Sequence, residues 1–188
     1  MVISMATETA DSVDVSLLSA CKKNDRAAQK AFYARHFSYG MSISSRYASD
    51  RDEAAWILNQ AFMKFFENLK KFDFSKPCKP WLRKIIINTA ITHNKKYYQH
   101  EFVPEEQVMD VRSEDDAESD MMYKSIMEQI RQLTPMYRMV INLYIIEGYK
   151  HHEIADMLGI SVGTSKSNLF KAKAMLRDKL KNNLGVEG

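Results

Sequence analysis

The chain has 188 residues, 45% hydrophobic and 27% charged, with a formal net charge of +3. That is enough for one large domain or two small ones, and two fit the pattern better. No apolar run approaches the length of a membrane-spanning helix, and residues 1–13 lack the basic-then-apolar order of a secretion signal, so a soluble, cytoplasmic protein is expected. Cys21 and Cys78 stand far apart with no second pair at metal-binding spacing, which leaves them as ordinary reduced thiols.

From residue 13 to residue 99 the pattern is helical, with Gly40 as its one glycine and Pro77 and Pro80 bracketing a loop. A first short helix is predicted from about Val13 to Lys23. Asp25 can cap a second, which carries Ala28, Ala31, Phe32 and Phe37 as its apolar positions. Asp50 with Glu53 makes a capping box for a third helix. Its Ile57, Leu58, Ala61, Phe62, Phe65, Phe66 and Leu69 form a thick apolar stripe. Pro80 opens a fourth, with Trp81, Leu82, Ile85, Ile86, Ala90 and Ile91 inward. Such facing stripes suffice for a compact bundle.

The proline-bracketed loop carries Phe72 and Phe74 among Lys70, Lys71, Lys76 and Lys79. Aromatic faces with cations suit an unstacked base and its backbone. The end of the fourth helix, with Asn88, His93, Asn94, Lys95, Lys96, Tyr97 and Tyr98, has the composition of a surface that lies along a strand. A plainer reading stands beside this one: a Trp at a helix start more often belongs to the core, and Phe72 then simply closes the bundle. Asn88, flanked at helical spacing by Ile85 and Ile91, needs a partner, either DNA or another side chain.

Residues 101–120 hold nine acids and one Arg, a net of −8, so the rest of the chain sums to +11. With Pro104 and no apolar periodicity, residues 100–120 read as a flexible acidic linker between two basic bodies. The plain reading is a solvating spacer that keeps two basic modules from collapsing together.

Thr134 is placed to cap the next helix, with Pro135 at its first position. Val140, Ile141, Leu143, Tyr144 and Ile145 give it a broad apolar face, ended by Gly148. A short helix from about Lys150 to Leu158 follows, with small Ala155 where two helices approach and Gly159 where the turn needs positive φ. Ser161 then caps a last helix. It carries Lys166, Lys171, Lys173, Arg177, Lys179 and Lys181 against Asp178 alone, with Leu169, Ala172, Leu176 and Leu180 inward. This is the spacing of a helix-turn-helix DNA reader. Its tip, Thr164, Ser165, Lys166, Ser167 and Asn168, is expected to be exposed. A charge run by itself usually marks a solvated face, but here it follows the turn and is almost free of acids. The expected duplex-binding set is therefore Ser161, Thr164, Ser165, Lys166, Ser167, Asn168, Lys171 and Lys173.

The segment Leu133-Thr134-Pro135, Arg138, Glu147-Gly148, Glu153-Ile154-Ala155, Leu158-Gly159-Ile160-Ser161, Gly163-Thr164 and Lys166-Ser167 resembles region 4 of bacterial sigma factors of the extracytoplasmic-function group. Asn59-Gln60-Ala61-Phe62, Trp81-Leu82, Ile85 and Asn88 resemble region 2. Together the two cover roughly residues 17–98 and 122–180. The resemblance implies that the last helix reads the minus-35 promoter element, and that its unit docks on the flap of the polymerase β subunit. It also implies that Trp56, Asn59, Gln60 and Met63 meet the β′ coiled coil. Phe72, Phe74, Lys76, Lys79, Asn88, Asn94, Lys95 and Lys96 would meet the minus-10 element as single strand, and an anti-sigma factor would be a further partner. The chain departs from the family at Ser165, where Val is usual, at Ala55 and Trp56, where acids are usual, and at Asn59, often Gln.

Enzymatic readings find little support. His151, His152 and Glu153 lack the spacing of a His-Glu-x-x-His metal helix, and no Gly-rich phosphate loop, nucleophile elbow or kinase signature occurs. Met121, Met122 and Met127 read as adaptable packing. The expectation is an all-α chain of two small helical domains, a bundle at 13–99 and a helix-turn-helix at 121–182, with flexible ends at 1–12 and 183–188. It would act as a sigma-type initiation factor with no catalysis, cofactor or metal of its own. The alternatives are a two-domain helix-turn-helix regulator that binds operators unaided, and a recombinase or nuclease, for which the first hundred residues hold no convincing nucleophile or carboxylate metal cluster.

Overall fold

The computed structural model describes residues 15–98 and 120–184, with side chains over 15–95 and 126–179. Every regular element among them is helical: α1 (15–22), α2 (Arg26–Ser44), α3 (Arg51–Asn68) with a 3-10 turn at Leu69–Lys71, α4 (Cys78–Tyr98), α5 (Asp120–Arg131), α6 (Pro135–Ile141) with a π turn at Asn142–Ile146, α7 (His151–Leu158) and α8 (Val162–Leu184). The N-terminal segment 1–12 and the linker as far as residue 119 lie outside the described residues. At the other end α8 continues to Leu184, so residues 183 and 184, expected to begin a tail, are still helical. The chain divides into two compact units. One comprises the chain up to Ser45 with Arg51–Ala90, and the other Arg46–Asp50 with the chain from Ile91 onward.

In the first unit, Asn24 takes φ 62°, a left-handed conformation that Asn tolerates better than most residues, and turns the chain out of α1. Asp25 Oδ1 then accepts from the backbone N–H groups of Ala27 (2.9 Å) and Ala28 (3.1 Å), which satisfies two donors the helix itself leaves unpaired. Phe32 is fully buried, and its ring stacks on Phe65 at 5.0 Å, 16° between planes, with Phe62 edge-on at 6.3 Å and His36 at 4.3 Å. Burying one such ring contributes about 2–3 kcal/mol. Ala31 and Phe37, counted as apolar positions of this helix, face outward instead. On α3 the stripe Ala54, Ile57, Leu58, Ala61, Phe62 and Phe65 is buried, as is Leu69 in the following turn. α4 begins at Cys78, so Pro80 falls in its first turn, where the missing N–H has no helical partner to lose. Leu82, Ile86, Ile87 and Ala90 face the core, while Ile85 is only half-buried.

Cys21 and Cys78 are buried and are not joined in a disulfide. Burial, with the charge of Asp25 nearby, pushes the Cys21 thiol up to about 11.

In the second unit Thr134 occupies the cap position of α6, but its side chain makes no capping bond, contrary to expectation. Buried Arg138 donates to the Leu133 carbonyl at 3.0 Å. After Ile141 the helix widens into the π turn, and its face splits: Leu143 is buried whereas Tyr144 and Ile145 are 38% and 54% exposed. The apolar run was expected to face inward throughout, but the extra residue of a π turn swings these two out. Asn142 is fully buried and donates to the carbonyls of Arg138 (2.8 Å) and Arg46 (2.7 Å). Arg46 also pairs with Glu147 at 3.5 Å, a bond that joins the 46–50 corner to the π turn. Gly148 then takes φ 76°. α8 packs against α5, α6 and α7. Met136, Met139, Val140, Leu143, Ile154, Leu158, Leu169, Ala172 and Leu176 form the core between them.

Candidate nucleic-acid interface

The helix-turn-helix is built from α7 and α8. Glu153 reaches back to accept from the Lys150 backbone N–H at 2.7 Å, which fixes the start of α7. At its end Gly159, φ 71° and ψ 38°, donates its N–H to Ala155 O at 2.8 Å, and Ile160 N donates to the same carbonyl at 3.1 Å. Ser161 Oγ accepts from Thr164 N at 2.9 Å and lies 2.9 Å from Thr164 Oγ1, so α8 starts with the expected cap.

The tip of α8 is not the exposed cluster that was expected. Ser165 is fully buried, Ser167 is 7% exposed and Asn168 2% exposed. The reason is register: 165, 168 and 169, 172 and 176 lie along one side of a 3.6-residue helix, the side that Leu169, Ala172 and Leu176 carry inward. Of the expected set Ser161 and Lys166 are exposed, and Thr164, Lys171 and Lys173 are half-buried. The outward stripe contains two residues that sequence reasoning missed, Val162 and Phe170, 42% and 41% exposed. They stand one turn on either side of Lys166. Counting by four from that lysine would have found them.

His151, at the start of α7, is half-buried, with its ring stacked on Tyr144 at 4.6 Å and 23°. Its Nδ1 lies 2.9 Å from Ser165 Oγ. Burial, and after it the charges of Lys166 and Lys173, hold its imidazole below the usual histidine range. His152 is exposed.

On the first unit, the loop between the 3-10 turn and α4 is organised by Asp73. Its Oδ1 accepts from Ser75 N (3.0 Å) and Ser75 Oγ (2.7 Å), Lys76 N donates to its carbonyl (3.0 Å), and Lys76 Nζ stands 3.5 Å from Oδ2. Those Ser75 bonds hold the Asp73 carboxyl below its ordinary value. Phe72 stacks on Trp81 at 4.8 Å and 25°, and Phe74 meets Phe72 edge-on at 5.5 Å. Trp81 in turn packs on Phe65 at 4.6 Å, so one face of the indole belongs to the core and the other to the loop. Beside this stack opens a cleft of about 360 Å³ lined by Lys71, Phe72, Asp73, Lys76, Pro77, Pro80 and Trp81. Lys79 is exposed, its Nζ 5.9 Å from the Tyr39 ring, and the Phe74 ring has Lys22 Nζ over it at 5.0 Å.

The fourth-helix residues do not stay together. Asn88 and Lys95 are exposed, but Asn94 is 2% exposed and donates to Tyr47 O at 3.4 Å, so its amide is spent inside the second unit. The Lys96 side chain lies outside the described residues. On α3, Trp56, Asn59, Gln60 and Met63 fall on one face by helical register. Trp56 and Met63 are 46% and 55% exposed, and Asn59 Oδ1 accepts from Tyr33 OH at 2.8 Å. Among the described residues no group of His, Cys, Asp or Glu has the arrangement of a metal site, and no helix is long and apolar enough to cross a membrane.

Comparison with known proteins agrees with this geometry. The family described as Sigma-70, region 4, matches residues 123–176. An RNA polymerase sigma-E factor of Streptomyces coelicolor is 30% identical over 135 residues, 72% of this chain and 76% of that protein. The ECF RNA polymerase sigma factor SigW of Bacillus subtilis is 29% identical over 69% of this chain and 76% of its own length. The ECF RNA polymerase sigma-E factor of Haemophilus influenzae is 23% identical over 89% of this chain and 95% of that protein. The fold and the basic helix-turn-helix thus define a helical transcription-initiation protein. The chain belongs to the RNA polymerase sigma factors, in their extracytoplasmic-function group. Membership favours an initiation factor over a regulator that acts unaided.

Proposed function

We propose that the chain divides promoter recognition between two stretches of sequence, residues 13–99 acting as a region 2-like part and 121–182 as a region 4-like part. The α8 stripe Val162, Lys166 and Phe170, flanked by Ser161, Thr164, Lys171 and Lys173, enters duplex DNA at the minus-35 element. There the lysines take phosphate and the apolar pair takes base methyl groups. Ser165, Ser167 and Asn168 support this face from within. The cleft lined by Phe72, Trp81, Lys71 and Lys76, with Lys79 on the following helix, takes an unstacked base of the non-template strand at the minus-10 element. Phe74, Asn88, Lys95 and Lys96 follow its backbone, while Asn94 acts structurally. Trp56, Asn59, Gln60 and Met63 bind the polymerase β′ coiled coil, with Trp56 as an apolar anchor where the family usually carries an acid. The β flap takes the second unit. Family membership supports three further readings: an anti-sigma factor as inhibitor, action in the cytoplasm, and no catalysis by the chain itself.

The observation that carries the division is that one unit holds the aromatic-lined cleft of about 360 Å³ and the other the cationic stripe. Run-off transcription with purified core polymerase on a pool of promoters tests it. Initiation that depends on both elements is the expected result. Failure to associate with core polymerase, together with unaided occupancy of a palindromic site, would overturn it.

A further inference from the structure

We propose that His151 is a positioning residue for the reading helix, setting the aim of Lys166 through its hydrogen bond to Ser165. This inference rests on the minus-35 reading of α8. Ser165 is fully buried between α7 and α8, at a position where an apolar side chain would need no partner. A buried hydroxyl does need one, and His151 Nδ1 supplies it at 2.9 Å. The imidazole is itself held by the Tyr144 ring at 4.6 Å, so the three side chains form a chain from the π turn through α7 to α8. The contact is directional, unlike the apolar packing it replaces: it fixes how far α8 is turned about its axis. Lys166 is the next residue after Ser165, and Val162 and Phe170 lie one turn either side of it. A rotation of α8 that lost the His151 bond would move the whole stripe against the groove. His151 is separated from Ser165 by 14 positions.

The test uses the full chain with core polymerase on two promoters, one matched and one with a scrambled minus-35 element, and reads the preference for the matched one. Ser165→Ala and His151→Phe are each expected to cut that preference about three- to tenfold, the range of one directional hydrogen bond. The double variant should be no worse than either single one, because both remove the same contact. Ser165→Thr, which keeps the hydroxyl, should restore most of the preference, and a merely structural role would not give that rescue. Ser165→Val fills the site without a polar group and serves if the Ala variant does not fold. Its preference should also fall, with the thermal midpoint held or raised. Additive losses in the double variant, or wild-type preference in Ser165→Ala and Ser165→Val, would overturn the inference. A wild-type protein with no preference between the two promoters would instead overturn the minus-35 reading on which it stands.

Discussion

Gly40 of α2 faces Leu58 of α3 so closely that a Cβ added at position 40 would overlap the leucine Cδ1. Both residues are buried, and the helices cross at the one glycine of the first unit. Gly40→Ala gains about 1 kcal/mol in helix propensity but meets overpacking of about 1–3 kcal/mol, so a small net loss is expected. Gly40→Val lacks most of the compensation and should lose about 2–3 kcal/mol, read as a lower denaturation midpoint in urea. A Val variant as stable as the wild type would show that Leu58 has room to turn.

Phe72 supplies one wall of the loop cleft and leaves Trp81 seated on Phe65 when it is removed. Phe72→Ala is therefore expected to weaken binding of a single-stranded minus-10 oligonucleotide by about 1–3 kcal/mol, with core-polymerase affinity unchanged. Fluorescence anisotropy of the labelled strand with the holoenzyme reads the first, and the same probe on labelled protein the second. Equal strand affinity in the two proteins would remove the cleft from the DNA path.

Lys166 and Asn168 are two residues apart but lie on opposite sides of α8. Lys166→Ala should weaken duplex binding and lower the slope of log affinity against log salt by about 1. Asn168→Ala should leave that slope alone and lower stability instead, because its amide is inside the unit. Salt titrations of both variants separate the cases, and a slope that drops for Asn168→Ala would reverse the assignment.

His151 titrates below its ordinary value because burial and the charges of Lys166 and Lys173 disfavour the imidazolium. Between that lowered folded value and the ordinary 6.5, the unfolded chain binds more protons than the folded one. Stability therefore rises with pH through this window and is lost on the acid side. Thermal midpoints measured from pH 8 to pH 5 should fall below about 6.5 in the wild type. The fall should be shallower in His151→Phe. Parallel curves would exclude His151 as the source.

Much of the architecture was legible because periodicity reports burial directly. The Asp25 cap, the α3 stripe, the Gly159 turn and the Ser161 cap all follow from local chemistry and are where the residues put them. What was misread is the facing of polar residues. Ser165 and Asn168 look like contact residues by type, yet they sit on the apolar stripe that Leu169, Ala172 and Leu176 define, and register overrides composition there. The Tyr144 and Ile145 exposure was not legible, since a π turn is one residue wider than the repeat by which the sequence was counted. Nor was the fate of Asn94, whose partner Tyr47 lies 47 positions away, or that of Asn142, bonded to Arg46 across 96 positions. Long-range polar pairs leave no local signature.

The thiol of Cys21 carries a consequence for signalling. With its proton held to about pH 11, only on the order of one molecule in ten thousand is a thiolate at neutral pH, and thiolate is the form that peroxides and electrophiles attack. That sulfur is chemically quiet. An oxidant finds no ready target at that position.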